Sequence, residues 1–336
     1  MPVRTRAAPP GGPYAVVLLV TAALLAAACS SSDDDAAPAP DPSATQQDLV
    51  VQVASYDLAV GPPTRVIAGV LTDDQRLLGY GSVTMHFSYL GTGQPGSRAQ
   101  PSGPPVEASF LPVAGAPVPS PPPSEPRLVG GTERGVYSAR RAFDRAGFWQ
   151  MEVTAQVEGK ERRGRGAFQV LEEHAVPAPG DAALPTENLT IASADAPKAA
   201  VDSRAGADGE VPDPDLHRTT IAQALDAGRP AVVVFATPVY CVSRFCGPIT
   251  DMVEELGRTY ADRASFIHVE IWRDFQANDL NPAATEWVLR DGDLQEPWVF
   301  VIGADGRITA RFDNVVSREE LEPLLLDLPV IGPARS

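Results

Sequence analysis

The sequence predicts two folded regions of different class, an all-β sandwich followed by an α/β domain. Three observations carry that expectation. Residues 48–171 hold several short strand candidates with turn signals between them and no helical segment. From Asp215 onward, apolar runs and helical periodicities alternate in the order β-α-β-α-β-β-α, with one further helix before them. Between the two, residues 172–217 carry ten Asp and Glu against two Lys and Arg, the composition of an extended, solvated chain. A length of 336 residues accommodates two domains, and 34 prolines with 28 glycines favour linkers and turn-rich β structure over a helical bundle. The net charge of −16 argues against nucleic-acid partners, which need a basic surface. Three cysteines are too few for a disulfide scaffold, and histidines at 86, 174, 217 and 268 show no metal-site spacing, so no metal site is expected.

Taken in order, the chain begins with Arg4 and Arg6 ahead of an uncharged apolar run from Tyr14 to Ala28. As a helix that run reaches roughly 22 Å, short of the roughly 30 Å hydrocarbon core. It therefore reads as a signal peptide over residues 1–28. The junction Leu25-Ala26-Ala27-Ala28-Cys29 resembles the lipobox of bacterial lipoproteins, with its leucine one position early. That resemblance implies lipid attachment at Cys29 and a membrane anchor on the extracytoplasmic face. A simple cleaved signal, or an uncleaved anchor, is the alternative. Residues 29–47, opening with Ser30-Ser31-Ser32-Asp33-Asp34-Asp35, read as a disordered tether. In that compartment disulfides persist.

Residues 48–171 supply strand candidates at 49–53, 64–72 and 82–90, the last alternating Val83, Met85, Phe87 and Tyr89. A Gly-, Pro- and Ser-rich stretch at 91–126 reads as a long exposed loop, and strands resume at 135–139, 148–157 and 166–171. The phrases Gly135-Val136-Tyr137 and Phe143-Asp144-Arg145-Ala146-Gly147-Phe148-Trp149 resemble the last hairpin of bacterial YtkA-like immunoglobulin-like domains. Tyr137 and Trp149 read as core aromatics rather than a ligand site. Met85 and His86, adjacent on a strand, point to opposite faces and do not form a copper pair. Residues 172–214 read as an acidic disordered linker, with a chance glycosylation sequon at Asn188-Leu189-Thr190.

In the last region, 219–227 reads as a helix ended by Gly228 and Pro230. Ala231-Val232-Val233-Val234-Phe235 and Phe266 to Trp272 read as buried strands, with a helix from Pro248 to about Arg263 between them. A short helix follows over 282–290. Strands at 298–302 and 308–312 form a hairpin around Ala304-Asp305-Gly306, and Ser317 caps a final helix. This order, with a cysteine-bearing loop after Phe235-Ala236-Thr237-Pro238 and Glu296-Pro297-Trp298 before the third strand, resembles the thioredoxin fold over residues 215–329. The resemblance implies that Pro297 is a cis-proline facing the cysteines and shaping a substrate groove.

The cysteines depart from the family's Cys-x-x-Cys: Cys241 and Cys246 are separated by four residues, and Gly247-Pro248 follows the second. Counted from the strand end, Cys241 falls where the family's nucleophile belongs; the Cys-Gly-Pro phrase instead puts Cys246 there. A thiolate at a helix N-terminus is stabilised by free N–H groups, which favours Cys246 as nucleophile and Cys241 as its partner, with Arg244 adding positive potential. Four intervening residues permit the roughly 4.4–6.8 Å Cα separation of a disulfide.

The expected function is thiol–disulfide exchange with envelope protein clients by a membrane-anchored extracytoplasmic protein. No dissociable cofactor is needed, because the cysteine pair is itself the redox group. The alternative is a non-enzymatic binding or scaffold module with a structural Cys241–Cys246 disulfide, metal delivery being one use. A copper site like that of cytochrome-oxidase assembly proteins, with His268 joining the cysteines, is a third reading; a core histidine is the plainer account of His268.

Overall fold

Alternation along the first strands places one row of apolar side chains inward. In a computed structural model that describes residues 48–93, 98–206 and 209–331, seven strands close into a barrel. They are β1 (Leu49–Val53), β2 (Thr64–Thr72), β3 (Ser82–Gly91), β4 (Val106–Pro112), β5 (Gly135–Arg141), β6 (Gly147–Val157) and β7 (Lys160–Val170). Around the ring the order is β1-β7-β6-β3-β4-β5-β2, and β1 completes it by pairing antiparallel with β2 and parallel with β7. Val66, Val70, Met85, Phe87, Tyr137, Trp149, Met151 and Val153 fill the interior. Tyr137 and Trp149 are core aromatics whose polar tips donate to the Tyr80 and Arg145 carbonyls.

Closure depends on two glycines. A Cβ on Gly164 or Gly166 of β7 would collide with the carbonyl oxygen of Leu49 or Val51, so only glycine lets β1 lie there. The expected open sandwich is therefore corrected to a closed barrel. Residues 91–126 are not one exposed loop either, because they contribute β4 to the ring.

Downstream, β8 (Ala231–Ala236), β9 (Ser265–Glu270), β10 (Trp298–Ile302) and β11 (Ile308–Asp313) form a sheet in the order β9-β8-β10-β11. Strand β8 runs parallel to β9 and antiparallel to β10. The first three are buried on both faces; β8 and β10 are unbroken apolar runs, while β9 also buries Ser265, His268 and Glu270. Of the helices α1 (Lys198–Val201), α2 (Ile221–Asp226), α3 (Cys246–Tyr260), α4 (Pro282–Val288) and α5 (Arg318–Leu326), α2 and α4 cover one face. Helices α3 and α5 cover the other.

These elements do not make a separate domain, and the expected independent α/β unit of the thioredoxin kind is corrected as well. The described residues are mostly β, 37% strand against 16% helix. The described residues all fall within one compact unit. The barrel and the sheet are locked together by buried polar contacts. Arg65 of β2 reaches Glu320 at 2.8 Å and the Val315 carbonyl at 2.5 Å, and the Tyr56 N–H donates to Asp313 at 2.5 Å. Arg311 of β11 pairs with Asp57 at 2.8 Å, and Ile67, Val113, Val136 and Val315 share one apolar cluster.

The acidic stretch 172–214 is not a disordered linker. Val176, Ala183, Ala200 and Val201 are buried, and Ala183 bonds to Gly306 at 2.8 Å. Asn188, the sequon residue, is buried and accepts from the Ile221 N–H. Charge dominates the composition here, yet a few spaced apolar side chains suffice to anchor the chain. The signal peptide, Cys29 and the tether lie outside the described residues. Among the described residues no helix is long and apolar enough to cross a membrane.

Candidate redox site

Strand β8 delivers the chain through buried Thr237 into a loop, and α3 begins at Cys246. Cys241 and Cys246 form a disulfide with Cα atoms 6.0 Å apart. The Cys241 N–H donates to the Thr237 carbonyl at 3.1 Å, fixing the loop to the strand end. Ser243 Oγ sits 3.2 Å from Cys241 Sγ and accepts from the Phe245 N–H at 3.4 Å. Arg244 turns the chain with φ near 62° and carries its exposed side chain outward.

The two sulfurs differ in access. Cys246 is 0% exposed, packed among Ile249, Val253 and Val299 at the start of α3, whereas Cys241 is half-buried at the rim of the same cluster. Cys246 is the first residue of α3, where the helix dipole and free N–H groups favour a thiolate. Its burial nevertheless keeps an incoming thiol away from its Sγ. Around Cys241 lie exposed apolar side chains: Val242 is 93% and Val239 53% exposed, and Tyr240 stacks on Phe275 with ring centres 3.9 Å apart.

The Glu296–Pro297 peptide is cis and Pro297 is buried. Its neighbour is the residue that sequence reasoning missed. A carboxylate oxygen of Glu296 lies within 4.8 Å of both sulfurs. Burial, with the negative charges of Glu270 and Asp293, pushes the Glu296 carboxyl up to about 7. Tyr56 holds the residue's backbone by donating to its carbonyl at 3.0 Å. The acid stood in the quoted Glu296-Pro297-Trp298 phrase, but only folding brings it to the cysteines.

His268 does not join them. It is buried in β9, with Nε2 3.0 Å from the Ala236 carbonyl and Nδ1 3.4 Å from Asp202. The group gathered at the cysteines is completed by Glu296 instead. His86 is exposed on β3 while Met85 is buried, and His174 lies against Asp57 and Arg311. No protein-family model matches this chain, and no curated protein matches it.

Proposed function

We propose that Cys241 and Cys246 exchange thiols and disulfides with protein clients in the extracytoplasmic compartment implied by the N-terminal sequence. The observation that carries this reading is a partly buried cysteine, bonded to a fully buried one at a helix N-terminus, beside a carboxyl group pushed up to about 7.

These positions support roles opposite to the sequence expectation. A client thiolate attacks Cys241 Sγ, forming a mixed disulfide and breaking the bond to Cys246. Cys246 leaves as a thiolate favoured by the N-terminus of α3, and the neutral Glu296 carboxyl gives it a proton. A second client thiol attacks the client's own sulfur in the mixed disulfide and releases Cys241. The client has become a disulfide and the protein a dithiol; read backwards, the same steps reduce a client. Pro297 borders this site, and the apolar side chains around Cys241 offer a surface to an extended or partly unfolded polypeptide.

Single-turnover reduction by a small dithiol tests the role of Glu296. With the rate expressed per attacking thiolate, the wild type should slow as pH rises through about 7, where Glu296 loses its proton. Glu296→Gln should remove that inflection and slow the step by about 10²-fold at neutral pH. Stability should move with it. The folded form holds the Glu296 proton to about 7 against an ordinary 4.5, so wild-type stability falls as pH rises across that interval and the variant's does not. An unchanged rate profile in the variant would remove Glu296 from the chemistry.

A further inference from the structure

Three buried side chains from different elements meet on the sheet, outside the cysteine–Glu296 group. Asp202 follows α1, His217 ends a short 3-10 turn (Pro214–His217), and His268 sits within β9. All three are 0% exposed. His217 Nε2 lies 3.3 Å and His268 Nδ1 3.4 Å from the same Asp202 Oδ2, and the three atoms are mutually within 4.8 Å. A tetrahedral zinc ion with bonds of about 2.0–2.1 Å keeps its ligand atoms about 3.3–3.4 Å apart.

Two independent observations favour a cation there. First, among the described residues Nδ1 of His217 has no partner, and Nε2 of His217 and Nδ1 of His268 face only Asp202 Oδ2, at 3.3 and 3.4 Å and without hydrogen-bond geometry, although burial makes a poorly satisfied polar atom costly. His268 Nε2 faces the Ala236 carbonyl at 3.0 Å; donating its N–H there turns the Nδ1 lone pair toward Asp202, the outer-shell arrangement of metal-bound histidines. Second, the local charge is unbalanced. Arg204 is shared by Asp202 at 2.7 Å, Asp213 at 2.7 Å and Asp251 at 3.0 Å. Buried Glu270 adds a fourth carboxyl, accepting from the Ser203 N–H at 2.8 Å. Arg204 takes one lone pair of Asp202 Oδ2 and leaves another on the side of the imidazoles.

We propose that Asp202, His217 and His268 form a buried zinc site that pins residues 198–217 to the central sheet. The two neutral imidazoles and one carboxylate suit a borderline cation, and water fills the fourth position. Asp202 and His217 come from the acidic stretch and its end, while His268 comes from the sheet, so binding there would stabilise the packing of that stretch. The site shares no ligand with the cysteines or Glu296.

The full chain, stripped with a chelator, is titrated with Co2+ and then Zn2+. One equivalent of Co2+ should give a tetrahedral d–d spectrum that Zn2+ displaces. The spectrum should survive in the Cys241→Ser/Cys246→Ser double variant and weaken at least 10²-fold in affinity in His217→Gln. Zinc should also protect residues 198–217 from protease. Because His217→Gln could fail to fold, 15N NMR of the wild type supplies a separate readout: Zn2+ should shift Nε2 of His217 and Nδ1 of His268. Absence of the Co2+ spectrum in the wild type, its loss only in the cysteine variant, or imidazole nitrogens unmoved by Zn2+ would each overturn the site.

Discussion

Cys246→Ser should lose exchange down to the background rate while accumulating client proteins in mixed disulfides on Cys241. Cys241→Ser should lose exchange equally but hold almost no client. The asymmetry follows from access and from the leaving group. Cys241 is half-buried beside exposed Val239 and Val242, whereas Cys246 is fully enclosed at the start of α3. In Cys246→Ser the free Cys241 thiolate attacks a client disulfide, and without Cys246 no thiol of the protein can complete the reduction, so the adduct on Cys241 persists. Non-reducing gels and mass spectrometry of the two variants read the result directly. The proteins held should be extracytoplasmic; capture of cytoplasmic proteins alone would contradict the location implied by the N-terminus. Equal capture by both variants would restore Cys246 as an attacking sulfur.

Arg311→Ala should destabilise the whole described unit by about 3–5 kcal/mol, because it leaves a buried carboxylate without its partner. The side chains of Arg311 and Asp57 are 7% and 3% exposed and 2.8 Å apart. Arg311 also donates to the carbonyls of Val176 at 2.9 Å and Pro177 at 3.2 Å, tying the acidic stretch to β11. Burial alone would raise the Asp57 carboxyl, but His174 and Arg311 outweigh it and hold it at about 2. The stability it contributes is present above its ordinary 3.8 and is lost as pH falls through about 2. Urea unfolding followed by tryptophan fluorescence should show one transition in both proteins, with Trp149 in the barrel and Trp298 in the sheet reporting together. Two transitions, of which only one moves, would mean that barrel and sheet fold separately.

Much of the local structure was legible in the sequence. Continuous apolar runs marked β8 and β10, and Ser317 does cap α5, accepting from the Glu320 N–H while Glu320 accepts from the Ser317 N–H. Alternation marked β3 as a half-buried strand, and 148–157 was legible as the strand β6. What sequence patterns do not encode is which distant strands pair. The closing contact of β1 with β7 depends on Gly164 and Gly166, of which the sequence marked only Gly166, as the start of a strand. Composition misled over residues 172–214, because averaging charge hides isolated anchors such as Val176 and Val201. At the redox site the cysteine pair was visible, but Glu296 drew notice only for the proline beside it. Spacing rules also passed over the meeting of His217 and His268 at Asp202, since such rules compare residues on one local element and not side chains brought together by packing.

The central claim is that the Cys241–Cys246 bond is a working redox group. Its reduction potential, measured by equilibrating the folded full chain against glutathione buffers, tests that most directly. A partly buried Cys241 bonded to a cysteine whose thiolate is favoured by a helix N-terminus predicts a labile pair, with a potential above about −300 mV and reversible exchange with glutathione. A potential below about −300 mV, with a bond that resists strong reductant until the protein unfolds, would make the disulfide a structural staple and contradict the account.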